Sequence, residues 1–180
     1  ASNRNRVLAE FFAKGVYDAK RPFYRTMSPS MDILVSSNLE RLLFEVSGRN
    51  AALTAETVTA VDISRPALEN VERNARLNGL SNIQTRCGDV FEVLREYKAN
   101  GEKFSLVVLD PPAFCKSAAE VKDAFRGYKD INLLGMKLTE RGGFLITCSC
   151  SHYMTLPLFE KMLAEAAKES GRRMRTVEIR

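Results

Sequence analysis

From residue 57 onward, strand-like and helix-like segments alternate, and this order constrains the fold more than any other feature of the sequence. Strands are predicted over residues 58–62, 82–86, 104–109, 144–149 and finally 174–179, and helices over residues 64–78, 90–98, 118–138 and 158–170. Residues 104–109 form an apolar run without alternation, which is typical of a strand buried on both faces of a parallel sheet. Alternating βα units with right-handed crossovers predict a doubly wound, mostly parallel α/β sheet.

The composition narrows the classes of function. The chain has 180 residues, with 27 Lys+Arg against 22 Asp+Glu and a net charge of +5. This mild positive charge favours an anionic partner such as nucleic acid. No apolar run approaches the roughly 20 residues that cross a bilayer, so we expect no membrane partner. Four cysteines are too few for a disulfide scaffold, which predicts a reducing, cytoplasmic compartment.

Three acidic residues follow successive predicted strands: Asp62, Asp89 and Asp110. In a doubly wound sheet, ligands bind beyond the carboxyl ends of the strands. An acid that ends the second strand of such a unit can accept hydrogen bonds from two ribose hydroxyls, and an acid after the third can reach an adenine amine. The alternative is that each acid is only a polar strand end or a helix cap.

The most specific local motif is the Asp-Pro-Pro-Ala-Phe run at residues 110–114. Two prolines can neither extend the strand nor open a helix freely, so they predict a rigid turn. Such a turn presents Asp110 and the ring of Phe114 to the cleft, where an aromatic ring can stack on a nucleobase and a polar group can bond its edge. The alternative is an ordinary proline-rich loop.

A second motif, Cys-Ser-Cys-Ser-His at residues 148–152, closes the strand predicted over residues 144–149. A cysteine here is a candidate nucleophile if a positive neighbour lowers its pKa. Cys148, Cys150 and His152 could instead bind zinc, although three ligands make a weak zinc signature. Both cysteines could also be small buried residues, and His152 either a general base or a surface residue.

With these motifs in place, residues 57–180 resemble the class I S-adenosylmethionine-dependent methyltransferases, and most closely the large-subunit rRNA cytosine-C5 methyltransferases. The matching stretches are residues 58–64, 74–80, 88–91, 110–114, 126–132 and 149–151.

The resemblance implies a Rossmann-like fold, S-adenosylmethionine as cofactor and rRNA as substrate. It implies that Asp62 holds the ribose and Asp89 the adenine of the cofactor, and that Asp110 also binds the cofactor. It also implies that Cys150 attacks C6 of cytosine while Asp110 contacts N3, so that C5 becomes nucleophilic enough to accept a methyl group. Cys148 falls where this family often has an apolar residue, so Cys150 is the preferred nucleophile.

Residues 1–56 resemble an internal segment of threonine synthase, a pyridoxal-phosphate enzyme, in residues 1–5, 15–18 and 29–43. That family's cofactor lysine and phosphate-binding glycine loop are absent, so its catalysis is not expected here. The two resemblances together predict a mosaic chain that is joined near residues 54–58. Two alternatives to an active methyltransferase follow: a recombined or designed domain that folds without catalysis, and a non-functional threonine synthase fragment.

Relative to a full methyltransferase domain, residues 57–180 lack the first, central strand and its glycine-rich loop. A predicted strand at residues 33–35 is followed by a helix that Asn38 caps, which is the strand–loop–helix order of the missing unit. Residues 36–38 would then take the place of the glycine loop. An empty central position would expose two rows of backbone groups, so we predict that residues 33–35 lie in the sheet beside residues 58–61. Otherwise a second chain would have to complete the sheet, as in a homodimer.

Overall fold

The computed structural model describes residues 55–179 and the backbone of residues 33–36. These residues form five strands and four α-helices in an α/β arrangement: β1 (Ile33–Ser36), β2 (Val58–Asp62), α1 (Arg65–Leu77), β3 (Ile83–Cys87), α2 (Val90–Ala99), β4 (Phe104–Leu109), α3 (Val121–Leu138), β5 (Thr139–Thr147) and α4 (Leu156–Ser170). The strands pair in parallel in the order β3-β2-β1-β4-β5. The predicted doubly wound parallel sheet is therefore confirmed.

Strand β1 occupies the centre of the sheet, as predicted. Ile33 pairs with Val58 of β2 on one side and with Leu106 of β4 on the other, and Ser36 pairs with Val61. The strand thus satisfies backbone groups on both neighbours, which would otherwise be left unpaired inside the sheet. The predictions for residues 1–32 and 37–54, including the helix that Asn38 was expected to cap, lie outside the described residues.

Local sequence signals account for most of the element boundaries. Helix α1 begins after Ser64, whose Oγ accepts a hydrogen bond from the amide of Ala67 at 3.4 Å, and Pro66 lies in its first turn. Every residue of β2 and β4 is buried, as expected for strands covered on both faces. Helix α4 ends at Ser170 and is capped by Gly171. The φ of Gly171 is 70°, in the left-handed region that favours glycine.

Two sequence predictions near the end of the chain are wrong. Strand β5 begins at Thr139, directly after α3, rather than at Phe144. Thr139 pairs with Phe104 and Phe144 with Leu106, so the residues between them form a bulge within the strand. Gly143 fits there because a Cβ atom would lie 2.6 Å from the carbonyl oxygen of Ser105.

Residues 174–179 form neither a strand nor a helix, contrary to the predicted last strand. A strand needs a neighbour for its backbone hydrogen bonds, and these residues pair with none of the described strands. The side chains of Met174, Val177 and Ile179 are exposed. No helix in the described part of the chain is long and apolar enough to cross a bilayer.

Among the described residues, two clusters of buried apolar side chains support the sheet. One packs β2 and β4 against α2 and α3 and is built around residues such as Leu94, Val107 and Ile131. The other joins α3, α4 and the loop after β4 through Cys115, Tyr128 and Met162. The loop after β4 is therefore anchored to a packed interior through Cys115.

Candidate active site

The three predicted aspartates lie along one edge of the sheet, because they follow the carboxyl ends of parallel strands. Asp62 ends β2, Asp89 follows β3 and Asp110 follows β4. The strand order reverses between β1 and β4, so Asp110 stands at the point where the two halves of the sheet diverge. Clefts at such points are where open α/β sheets bind their ligands.

Asp62 combines deep burial with an incomplete set of hydrogen bonds. Its side chain is 5 % exposed, and Oδ1 accepts a hydrogen bond from the backbone amide of Ser64 at 2.7 Å. Among the described residues, no group donates to Oδ2. A buried carboxylate normally has several donors, so the free oxygen suits a ligand that carries hydroxyl groups. The next residue, Ile63, is 73 % exposed and adds an apolar surface that sequence analysis did not single out.

Asp89 is the N-cap of α2, which was one of the alternatives that the sequence left open. Its Oδ1 accepts hydrogen bonds from the amides of Phe91 at 2.8 Å and Glu92 at 3.3 Å. The residue also lines an open depression of about 360 Å³, together with Phe91, Arg95 and Gly127 among others. Both hydrogen bonds use Oδ1, so among the described residues no hydrogen bond occupies Oδ2, which remains available for a ligand donor.

Among the described acidic residues, Asp110 has the most strongly shifted pKa. Its side chain is 8 % exposed, and no described residue donates a hydrogen bond to its carboxyl group. Burial disfavours the charged form and raises the pKa of Asp110 to about 7. Near neutral pH this carboxyl group therefore holds a proton in a large share of molecules, and it can donate a hydrogen bond as well as accept one.

The turn after Asp110 packs its aromatic residue against the protein. The ring of Phe114 is half-buried and lies 4.7 Å from the ring of Tyr128 and 6.2 Å from that of Phe91, measured between centroids. A Cβ atom on Gly127 would approach Phe114 to 3.3 Å, so the missing side chain there makes room for the ring. The predicted stacking role of Phe114 therefore depends on the part of the ring that these contacts leave uncovered.

Cys150 lies beside this turn. Strands β4 and β5 pair up to Leu109 and Thr147, and the amide of Cys148 donates to the carbonyl of Leu109 at 2.9 Å. Two residues later, the thiol of exposed Cys150 stands 3.8 Å from the carbonyl oxygen of Pro111. The structure therefore brings the predicted nucleophile to the backbone next to Asp110, whereas Cys148 is half-buried in the strand end.

The alternative of a zinc site at residues 148–152 is not supported. No group of three or more cysteine, histidine or acidic side chains in the described part of the chain is arranged to hold a metal ion. Residues two apart share a strand face only while the strand continues, and β5 ends at Thr147, before both Cys150 and His152. His152 is exposed and lies beside Tyr153, with the ring centroids 5.6 Å apart.

A cluster of hydroxyl groups on either side of Cys150 was not predicted from the sequence. The phenol oxygen of Tyr128 lies 2.8 Å from Oγ of Ser151 and accepts a hydrogen bond from Oγ of Ser149 at 3.0 Å. Tyr128 is fully buried in α3. The available signal was a tyrosine on the apolar face of a helix, because a buried phenol needs a hydrogen-bond partner.

Comparison with known proteins places this geometry in a family. Residues 41–178 match the family model described as "Methyltransferase domain". The chain is 49 % identical over 127 residues to the ribosomal RNA large subunit methyltransferase I of Aeromonas salmonicida, and 45 % identical over 128 residues to the protein of that name from Vibrio cholerae. Each alignment covers 69 % of this chain and 32 % of the relative, so the chain spans about a third of their length.

Solved structures support the same fold at lower identity. The protein SMU.776, crystallised with SAH, superposes with a TM-score of 0.57 and 21 % identity over 66 % of this chain and 32 % of that one. A SAM-dependent methyltransferase from Agrobacterium tumefaciens gives a TM-score of 0.54 and 21 % identity over 66 % of this chain and 39 % of that one.

The comparisons give no support to the resemblance of residues 1–56 to threonine synthase, or to a mosaic chain. The methyltransferase match begins at residue 41 and so takes in residues 41–56 of that segment. In the described part of that segment, residues 33–36 form the central strand β1 of the same sheet.

Proposed function

This chain belongs to the methyltransferase-domain family, and from that premise we propose that it takes part in methyl transfer from S-adenosylmethionine to C5 of a cytosine in ribosomal RNA. The single observation that carries the proposal is the position of the Cys150 thiol, 3.8 Å from the carbonyl oxygen of the residue after Asp110. A nucleophile and an acid at one edge of the sheet are what addition to a pyrimidine ring needs.

The residues at this edge fit the cofactor. Asp62 is buried and keeps one carboxylate oxygen without a described donor, as expected of a group that accepts hydrogen bonds from ribose hydroxyls. The exposed side chain of Ile63 offers a flat purine an apolar contact. Asp89 has an oxygen free for an adenine amine beside an open depression. When bound there, S-adenosylmethionine supplies an electrophilic methyl group.

Cys150 and Asp110 have complementary tasks at the base. C5 of cytosine is a poor nucleophile until a group adds at C6. When Sγ of Cys150 bonds to C6, the electron pair of the C5–C6 double bond moves onto the ring toward N3 and makes C5 nucleophilic. A protonated Asp110 donates to N3 and stabilises this charge. Once C5 has taken the methyl group, which leaves S-adenosylhomocysteine, N3 returns its proton to Asp110 and the C5 proton passes to water. The C5–C6 double bond then re-forms and the thiolate of Cys150 departs.

Burial gives Asp110 the protonation state that this task requires. With a pKa of about 7, the carboxyl group is neutral in a large share of molecules at neutral pH, whereas an exposed aspartate would be ionised. A neutral carboxyl group can donate a proton to N3, and a carboxylate cannot.

The substrate class rests on two supports. The relatives that the chain matches are named for ribosomal RNA of the large subunit. The chain itself carries a net charge of +5, which favours contact with a phosphate backbone. The chain spans about a third of those relatives, so other segments of the relatives hold whatever further contacts to RNA they make.

The test compares two cysteine variants. Transfer of tritiated methyl from S-adenosylmethionine to protein-free large-subunit rRNA is measured for the wild type, Cys150→Ala and Cys148→Ala. We expect Cys150→Ala to lose more than about 1,000-fold in transfer rate, as when a covalent nucleophile is removed. Cys148→Ala is the matched control and should keep most of its activity. Transfer that survives in Cys150→Ala would reject the proposed role of this residue.

A further inference from the structure

We infer that Tyr128 is a positioning residue for methyl transfer, because its hydroxyl group closes a ring of hydrogen bonds with the two serines on either side of Cys150. This inference rests on the proposed function, in which Cys150 is the nucleophile. Tyr128 would touch neither cofactor nor base and would act only through the residues on either side of the thiol.

The ring consists of four connected groups. Oγ of Ser149 donates to the phenol oxygen of Tyr128 at 3.0 Å, and the phenol oxygen lies 2.8 Å from Oγ of Ser151. The amide of Ser151 donates back to Oγ of Ser149 at 3.3 Å. Because Ser149 supplies its proton to the phenol oxygen, the phenol proton is directed to Ser151. The hydroxyl protons of Ser149 and Tyr128 thus each have a defined acceptor, and Cys150 lies between the two serines in the sequence.

The same cluster reaches the turn that carries Asp110. Oγ of Ser151 accepts a second hydrogen bond from the amide of Cys115 at 3.1 Å. The ring of Tyr128 lies 4.7 Å from the ring of Phe114 between centroids. Tyr128 therefore contacts both the segment after β5 and the loop after β4, the two segments whose relative position sets the distance from Cys150 to Pro111.

The rest of the surroundings would hold a phenylalanine equally well. Tyr128 is fully buried, and its ring packs on Phe114 and on Phe159, whose centroid is 5.8 Å away. These contacts need only the ring. Among the described residues, the hydroxyl group of Tyr128 bonds only to Ser149 and Ser151. Removing it therefore tests the effect of these hydrogen bonds while the ring packing is kept.

The experiment removes one oxygen atom at two matched places. Tyr128→Phe opens the ring of hydrogen bonds. Tyr153→Phe makes the same chemical change three residues from Cys150, at a tyrosine that is 41 % exposed. For Tyr128→Phe we expect a fall of about tenfold in kcat, since a displacement on the order of 1 Å can cost about 100-fold. The KM for rRNA and the Kd for S-adenosylhomocysteine should stay within about twofold of the wild type, as for a change that acts after binding. Tyr153→Phe should leave all three quantities unchanged.

A second measurement does not require turnover. The rate of alkylation by iodoacetamide is followed by mass spectrometry at Cys150 and, as an internal control, at exposed Cys87. A thiol released from a fixed turn is more accessible, so in Tyr128→Phe we expect Cys150 to react about threefold faster while Cys87 is unchanged. Ser149→Ala should have a similar effect, and the double variant should add little, because both changes break the same ring.

The outcomes separate this inference from the proposed function. If the wild type methylates rRNA and Tyr128→Phe matches Tyr153→Phe in kcat and in alkylation of Cys150, the inference is wrong and the proposed function stands. If the wild type transfers no methyl group but alkylation of Cys150 alone accelerates, the positioning is supported and the proposed function fails. Equal acceleration at Cys150 and Cys87 would indicate general loosening and would also contradict the inference.

Discussion

The Sγ atom of Cys150 lies 3.8 Å from the carbonyl oxygen of Pro111, although the two residues are 39 positions apart in the sequence. The contact follows from the parallel pairing of β4 and β5 up to Leu109 and Thr147. Whatever follows those two residues must emerge side by side at the same edge of the sheet. The exposed thiol of Cys150 is thereby held against the backbone of the residue that follows the buried Asp110.

The buried carboxyl group of Asp110 should make the stability of the protein depend on pH. Its pKa of about 7 in the folded state exceeds its ordinary value of 3.8, so between pH 4 and pH 7 the folded state binds more protons than the unfolded state. Stability contributed by this group is then fully present below about pH 4 and is lost as the pH rises to about 7.

Asp110→Asn removes this dependence, because asparagine has no charge to bury. From pH 5 to pH 8 we expect the free energy of unfolding of the wild type to fall by about 2 kcal/mol relative to the variant, after allowance for partial solvent screening. Urea denaturation at both pH values checks this. An identical difference between the two proteins at pH 5 and pH 8 would contradict the raised pKa.

The two roles of Asp89 can be separated with one substitution. Asparagine is as good an N-cap as aspartate, so Asp89→Asn should leave the stability within about 0.5 kcal/mol of the wild type. If the side-chain oxygen of the asparagine caps α2, its NH2 group points toward the adenine amine. Two hydrogen-bond donors, the NH2 group and the amine, then face each other. We expect the Kd for S-adenosylhomocysteine, measured by calorimetry, to rise about tenfold.

Asp89→Ala is the matched comparison, since it should lose both the cap, at about 1 kcal/mol, and the ligand contact. If Asp89→Asn binds S-adenosylhomocysteine as tightly as the wild type does, Asp89 is only a helix cap.

Because of the bulge in β5, alanine substitutions at the adjacent residues Gly142 and Gly143 should lower the free energy of unfolding by different amounts. In Gly143→Ala the added Cβ would lie 2.6 Å from the backbone oxygen of Ser105, which cannot move without disturbing β4. We expect a loss of about 3 kcal/mol in unfolding free energy. Gly142 has a φ of 80° but open space around its Cβ position, so Gly142→Ala should cost only about 1 kcal/mol. Thermal or urea unfolding compares the two, and equal losses would contradict the close approach at Gly143.

The features that could be predicted from the sequence are those encoded within short segments. The run over residues 104–109 and the acid after it are local features, so both the buried strand and the position of Asp110 were predictable. The central place of β1 followed from the need to pair backbone groups. The ring around Cys150 was not predictable, because Tyr128 lies more than 20 residues before its two serine partners and only the packing of α3 brings them together.

The bulge and the C-terminal residues illustrate the same limit. A glycine pair predicts a turn, but only the neighbouring strand decides whether that turn lies outside the sheet or inside a ladder as a bulge. Residues 174–179 contain the β-branched residues Thr176, Val177 and Ile179 that strands favour, yet a strand forms only when an edge is available to pair with it.

The central claim is that Cys150 bonds to the target base during methyl transfer. Incubation with S-adenosylmethionine and an rRNA in which cytosine is replaced by 5-fluorocytosine tests it most directly. Fluorine at C5 cannot leave as a proton does, so the thiol cannot depart and a stable protein–RNA adduct accumulates. Peptide mapping by mass spectrometry should place the adduct on Cys150 and find none without the cofactor or in Cys150→Ala. An adduct on Cys148, or an adduct that still forms in Cys150→Ala, would contradict the account.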